Sequence, residues 1–298
     1  MMTANLLGAR GVRRLGPRAA KRRIRAVAVE ARRDPVKVII FLVLLVVSAA
    51  MLYPFVFMVI NSLRSESQYI NGAGFSTASW TQLFASLPVG RELLNSTLVC
   101  VASIAIILAL SSAAGYAFAK LRFKRQGLLF FAVIGCMMIP LQSIIIPVYV
   151  NFANLHLINT YFGAILVYAG IGTPFATFLM TTFFRGLPDE VTEAAACDGL
   201  TDAGCFRRVA MPMAKPALAT VAVLQFIQIW DDLLVGLLFL QEPTNRTITV
   251  GLGVLSSGRV VSVPVLMAGS LISALPAVLV YLFFQRYLVS GLTLGVNR

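Results

Sequence analysis

Charge is what this chain has least of. Only 12% of its 298 residues are Asp, Glu, Lys or Arg, against about a quarter in an ordinary soluble domain. That shortfall excludes a globule clothed in water-facing ions. Histidine occurs once, as His156, and cysteine four times. A single imidazole in a loop is a poor start for a proton relay. Cys100 and Cys136 in apolar runs, with Cys197 and Cys205 in a polar loop, match neither a metal-ligand spacing nor a disulfide framework, so no metal site is expected. A phosphate-cradling loop is missing too: Gly199 and Gly204 have the right separation, but Cys205 stands where the lysine belongs. Energy for any work must come from another subunit or from an ion gradient, and no catalytic residues are expected here. Internal repeats and low-complexity segments are absent.

What fills the chain instead is apolar surface, with 58% hydrophobic residues and a mean hydropathy of +0.85. Six stretches are almost free of charge: 38–60, 93–119, 127–155, 157–184, 217–240 and 260–285. Each has the roughly 20 residues that carry a helix across about 30 Å of hydrocarbon. The expectation is an all-α integral membrane protein with six transmembrane helices. Its first run is too long for a signal-peptide core and is expected to be retained.

The net charge of +13 raises nucleic acid as a partner, but its distribution points elsewhere. With the N-terminus inside, 21 of the 25 Lys and Arg residues fall in cytoplasmic segments and only Arg64, Arg91, Arg246 and Arg259 fall outside. That is the positive-inside pattern of a multi-pass cell-membrane protein with both termini cytoplasmic. Residues 1–36 read as a basic arm that holds topology and touches anionic headgroups, and residues 37–298 as one membrane domain. Pro140, Pro147, Pro174, Pro264 and Pro276 predict kinked or broken helices.

The cytoplasmic segment 185–216 interrupts this apolar pattern. Pro188 before Asp189 and Glu190 predicts a helix start, with acids complementing the positive end of the helix dipole. Glu193, Ala194, Ala195 and Ala196 sustain that helix, and Gly199 after Asp198 predicts a left-handed stop. Thr201 or Asp202 caps a second helix reaching about Met211, with Phe206, Val209 and Ala210 on one stripe. Pro212 and Pro216 then predict a bend and the first turn of a spanning helix. A short crosswise helix joined stiffly to a spanning helix is a lever that can pass the movement of a soluble partner into the bundle. Glu193 offers a cationic partner one directional contact. The alternative is an amphipathic helix resting on lipid, but Asp189, Glu190, Glu193, Asp198 and Asp202 would be repelled by an anionic leaflet.

Asp231 and Asp232 are the only acids inside the runs so delimited, and Asp231 is expected about 22 Å along a helix from Pro216. Intramembrane acids are costly and face a cavity or a partner. In one reading Trp230 offers a flat face to a sugar ring while an acid accepts its hydroxyl hydrogens. In the other both acids pair with a second subunit or with water at the mouth of a path. A stand-alone ion-coupled secondary transporter built on these two acids is the competing function.

The polar segment resembles the EAA motif through which permease subunits of binding-protein-dependent ABC importers meet their ATPases. Glu193-Ala194-Ala195, Gly199 and Pro212 fall at its spacing. The similarity runs from about Tyr53 to Gly295. It takes in Tyr53-Pro54, Asn95-Ser96-Thr97, Ala117-Phe118-Ala119-Lys120, Met138-Ile139-Pro140, Thr249-Val250-Gly251-Leu252 and the stretch from Gln285-Arg286-Tyr287 to Gly291-Leu292-Thr293. These look like the sugar-importer branch, and within it the maltose-type second permease. The resemblance implies a six-helix type I importer fold and a di- or oligosaccharide cargo. It also implies four kinds of partner: a second permease, two ATP-binding subunits that hold ATP and magnesium, an extracytoplasmic solute-binding protein, and the sugar. Glu193, Ala194, Ala195, Asp198 and Gly199 would be the ATPase-coupling residues, and Trp230, Asp231 and Asp232 the translocation-path candidates. Leu200 for a usual alanine, Met211 before Pro212 for a usual leucine, and Asp231 for a usual asparagine depart from the pattern.

Overall fold

The computed structural model describes residues 35–72, 74–258 and 262–293. The basic arm expected over 1–36 lies almost wholly outside these residues, as does Arg298. The described helices are α1 (Pro35–Ser62), α2 (Glu66–Asn71), α3 (Ala78–Ser86), α4 (Val89–Lys120), α5 (Gln126–Gly135, continued as a tight turn over Cys136–Met138), α6 (Leu141–Asn154) and α7 (Tyr161–Arg185). They continue as α8 (Asp189–Cys197), α9 (Asp202–Met213), α10 (Lys215–Trp230), α11 (Leu234–Phe239), α12 (Ile248–Ser256) and α13 (Val263–Thr293). No strand occurs among the described residues.

A first unit ends at Phe57 and a second begins at Met58. What is described of the first is most of α1, which is apolar from Val38 to Ile60 apart from Ser48, long enough to cross a bilayer, and carries Pro54 inside it. The second unit is built on α4 and α7, which form its most extensive helix pair. Residues Ser103, Ile107, Ser111 and Gly115 recur every four positions along the buried side of α4, and Gly172, Ala176, Met180 and Phe184 do the same on α7. Small side chains let two helices approach closely in lipid, where dispersion packing does most of the work. The approach is close at Gly115, where a Cβ would sit 2.7 Å from the Met180 Cβ and 2.9 Å from the Thr181 amide. The buried hydroxyls of Ser112 and Thr181 return to carbonyls of their own helices, Leu108 and Thr177, so neither needs a partner across the interface.

Four of the six expected spans are unbroken helices, the third is a bent pair and the fifth is interrupted. The third, expected over 127–155, turns by 96° between Met138 and Leu141. Pro140 pushes Ile139 into extended backbone (φ −81°, ψ 114°), which ends one helix and starts the next. Pro147, Pro174 and Pro276 sit inside unbroken helices, and Pro264 in the first turn of α13. The fifth run, expected as one helix over 217–240, is not one. α10 bends 73° from α9, stops at Trp230, and a separate short helix resumes at Leu234. A second correction concerns the acids. α4 begins at Val89 rather than at Leu93, so Glu92 belongs to a spanning helix, 1% exposed. Asp231 and Asp232 end a helix instead of lying within one.

Gly115→Leu should therefore push α4 and α7 apart at a cost of about 1–3 kcal/mol. The expected result is a fall of several degrees in the thermal midpoint of the purified protein in detergent. An unchanged midpoint would mean the two helices are not in close register there.

Candidate functional site

The polar segment folds as an elbow of two short helices. α8 starts after Pro188, with Asp189 and Glu190 in its first turn. It ends in a Schellman closure: Gly199 (φ 80°) donates its amide to Ala196 at 3.0 Å and Leu200 donates to Ala195 at 3.0 Å. Thr201 caps α9, its hydroxyl oxygen accepting from the Gly204 amide at 3.3 Å. Within α9 the backbone widens to a π-helical stretch over Phe206–Ala210. Pro212 has no amide to give the carbonyl four residues back, and a widened turn is one way to absorb that loss.

One side of the elbow is seated in the bundle and the other is open. Ala195, Cys205 and Ala210 are buried, and Phe206 packs its ring 5.1 Å from that of Tyr116 on α4. Tyr116 in turn meets Phe184 of α7 edge-on at 5.6 Å. Glu193, Ala194, Asp198 and Gly199 are all exposed. Of the five residues predicted to couple, four lie on the open side, and Ala195 is the one that packs inward. The α8 end of the elbow is held by Lys120, the last residue of α4. Its ammonium donates to the Leu187 carbonyl and to Asp189 Oδ1, both at 2.6 Å. The Lys120 side chain is 7% exposed and that of Asp189 79%. The hydrogen bond from Lys120, reinforced by its charge, holds the Asp189 carboxyl below the usual carboxylate range.

The second group of candidates sits at the other end of α10. Trp230 does not present a face to solute: it is 3% exposed, its indole N–H donates to the Ser273 carbonyl of α13 at 2.9 Å, and it stacks on Phe226 at 5.2 Å. Its own carbonyl accepts from the Thr249 hydroxyl of α12 at 2.9 Å. Asp232 Oδ1 accepts from the Tyr168 hydroxyl of α7 at 2.9 Å and from the Val235 amide at 2.8 Å, which caps the first turn of α11. Asp231 is exposed and closes α10 through its backbone amide. The three are therefore neighbours with different work: an anchor, a cap and one open carboxylate.

At that same end Asn95 and Ser96 of α4 hold the chain entering α12, with Glu92 one turn earlier against α12 itself, a cluster that sequence reasoning missed except as a short motif match. Asn95 donates its amide to the carbonyls of Thr244 at 3.1 Å and Arg246 at 2.9 Å, and accepts from the Tyr161 hydroxyl at 2.7 Å. The Ser96 hydroxyl accepts the Ile248 amide at 2.9 Å. The Glu92 carboxylate lies against Gly251, where any Cβ would overlap it. Glu92 could have been found from its place three residues before Asn95, one turn earlier on the same helix face.

A membrane bundle of broken and unbroken helices, with a capped polar elbow at one end, defines the class as a transport permease. The chain belongs to the binding-protein-dependent transport system inner membrane component family, whose model matches residues 105–294. It is 37% identical over 205 residues to a probable ABC transporter permease protein of Pyrococcus horikoshii, covering 69% of this chain and 74% of that one. It is 30% identical over 268 residues to the arabinooligosaccharides transport system permease protein of Bacillus subtilis, covering 87% and 95%. In fold it is similar to a chain of a bacterial ABC transporter involved in the import of the acidic polysaccharide alginate. That match has a TM-score of 0.74 at 24% identity, over 86% of this chain and 98% of that one. The fold is thus that of a type I ABC importer permease, and the protein is a multi-pass membrane protein.

Lys120→Met should release the start of α8, because a buried ammonium and two charge-assisted hydrogen bonds go with it. Amide exchange at 187–192 should then speed by about tenfold or more. Asp189→Asn, which leaves the Leu187 contact in place, should give a smaller change. The ion pair's own contribution should be full above the usual carboxylate range and fade as pH falls through the lowered Asp189 pKa. Exchange rates at 187–192 that ignore both substitutions would show that Lys120 does not hold the elbow.

Proposed function

We propose that this chain is one transmembrane half of an ATP-driven importer for a carbohydrate, a di- or oligosaccharide. The other half is a second permease, and two ATP-binding subunits dock beneath, with Glu193, Ala194, Ala195, Asp198 and Gly199 forming this chain's side of the joint. ATP and magnesium are held by those subunits, and this chain is non-catalytic. Solute is delivered by an extracytoplasmic binding protein, and both termini face the cytoplasm, on the side of the elbow. The single observation that carries the reading is the elbow itself: an exposed Glu193 on a helix whose ends are closed by a Schellman turn and by Lys120, joined to α9, whose Phe206 packs on Tyr116 of α4. A rigid, polar, outward-turned helix is a docking element. The sugar cargo is supported by the named relatives, among them the arabinooligosaccharides permease.

A stand-alone ion-coupled transporter would need Asp231 and Asp232 free to load and unload a cation. Asp232 instead holds Tyr168 and the start of α11, which favours a structural duty for it.

Charge reversal by Glu193→Lys should leave insertion and assembly intact but uncouple ATP hydrolysis from uptake, lowering uptake at least tenfold in vesicles carrying the complete complex. Wild-type uptake by that variant would remove Glu193 from the coupling joint. Solute movement by the purified chain alone in liposomes would remove the importer reading altogether.

A further inference from the structure

The open surface of the elbow is polar throughout. Between Asp189 and Pro212 no large hydrophobic side chain is exposed: Val191, Leu200, Phe206, Val209 and Met211 are all partly buried. A helix resting on lipid needs an apolar face turned outward, so this surface is made for water or for another protein.

Its charge is divided between the two helices. α8 and the turn that closes it carry only acids, Asp189, Glu190, Glu193 and Asp198, of which Asp189 is engaged by Lys120. The bases come later, as Arg207 and Arg208 in the π-helical stretch of α9, both exposed. Consecutive residues of a regular helix point about 100° apart, yet both arginines border one groove. That groove, of about 600 Å3, lies in the crook of the elbow, between residues 199–201 that close α8 and the side of α9 that carries Gly204, Arg207 and Arg208. Neither arginine makes an ion pair or a side-chain hydrogen bond with another described residue. Asp202 is the one acid on α9, and it does not line the groove. A guanidinium offers its N–H donors as a planar fork that a carboxylate fills with two parallel bonds. Two such forks on one groove, with no acid in its lining, match an acidic side chain and repel a cationic one.

We propose that this groove receives an Asp or Glu side chain of the ATP-binding subunit. The elbow then docks by two contacts of opposite sign: a cation of that subunit at Glu193 and a carboxylate of the same subunit at Arg207 and Arg208. The inference rests on the importer reading and deepens it by stating the chemistry of the partner's surface. Gly199 joins the two contacts, since it ends α8 and borders the groove. A lipid phosphate is the weaker occupant, because Glu190, Glu193 and Asp198 on the same surface would be repelled by an anionic leaflet. A joint with two signs also fixes direction: a partner turned end for end would set like charges against each other at both contacts, which disfavours the wrong pose.

The complete complex in nanodiscs of phosphatidylcholine supplies the test. Arg208→Lys, or Arg207→Lys, keeps the charge and introduces an amine. A zero-length carbodiimide should join that position to an Asp or Glu of the ATP-binding subunit, identified by mass spectrometry of the linked peptides. Arg207→Glu with Arg208→Glu should weaken binding of the ATP-binding subunits to the permease pair on the order of tenfold. Arginine in place of the linked acid should restore part of that loss. Amide exchange over 202–213 reports whether α9 stays folded; if the double reversal unfolds it, Arg207→Ala with Arg208→Ala should still give a measurable, smaller loss. Wild-type affinity in a folded double variant, or cross-links confined to this chain, would overturn the proposal. So would a loss of affinity that arises only when phosphatidylglycerol is added to the nanodisc, which would assign the arginines to lipid. A wild-type permease pair that binds no ATP-binding subunit would sink the importer reading itself, whereas wild-type binding and ATP-driven uptake by the folded double variant sink the second contact alone.

Discussion

In hydrocarbon every backbone amide and carbonyl has to find its partner within the protein or in enclosed water, and this constraint decides where the chain can depart from a straight helix. Proline alone does not decide it. Pro147, Pro174 and Pro276 sit inside helices that run on through them, whereas Pro140 ends one because Ile139 before it has left the helical region. The break at Asp231–Leu233 needs no proline. There the Asp232 carboxylate takes the Val235 amide and the Thr249 hydroxyl takes the Trp230 carbonyl. Each departure from the ladder is thus compensated by a named side chain or opens onto a cavity.

α4 turns these local solutions into one framework. At one end its Lys120 grips the start of α8; at the other its Asn95 and Ser96 hold the chain leading into α12. Between them a stripe of small residues seats α7. The buried Glu92 carboxylate against Gly251 belongs to the same design: glycine is the residue that leaves room for it. Ser262 donating to Glu66 at 2.5 Å and Ser79 to the Arg64 carbonyl at 2.5 Å tie the segment after α1 to the same end of the bundle.

Much of this was legible before any coordinates. Hydrophobic run length located the spans because lipid demands about 20 apolar residues per crossing. The elbow was legible residue by residue, since Pro188, Gly199, Thr201 and Pro216 each have a narrow set of backbone roles and fill them. What run length could not show was the interruption of a span. The runs 127–155 and 217–240 stay apolar through their breaks, so hydropathy gave no sign that α5 turns into α6 at 96° or that α10 stops at Trp230. Counting charges also misplaced Glu92, because an acid near the start of an apolar run reads as loop when its burial is unknown. Trp230 misled for a related reason. An indole beside two acids suits a sugar platform as well as it suits an anchor, and only the Ser273 carbonyl at its N–H distinguishes them.

The elbow's construction bears on how force could pass through it under the proposed function. A lever works only if its joints are stiff along the line of push. α8 is closed at one end by an ammonium and at the other by paired backbone hydrogen bonds, so a load at Glu193 reaches α9 with little local yielding. α9 leans on Tyr116 through Phe206, and Tyr116 leans on Phe184, so part of the load enters α4 and α7 as lateral pressure. The rest continues through the 73° bend into α10, whose far end is fastened to α13 by the Trp230 indole and to α12 by its carbonyl. Gln228, near that far end, lines the cavity beside the α5–α6 break. A displacement of α10 along its axis would therefore move one wall of the cavity against walls that belong to α5, α6 and α7. Placing the soft element, an interrupted helix, opposite the driven element is how a bundle can open a path without unpacking its core.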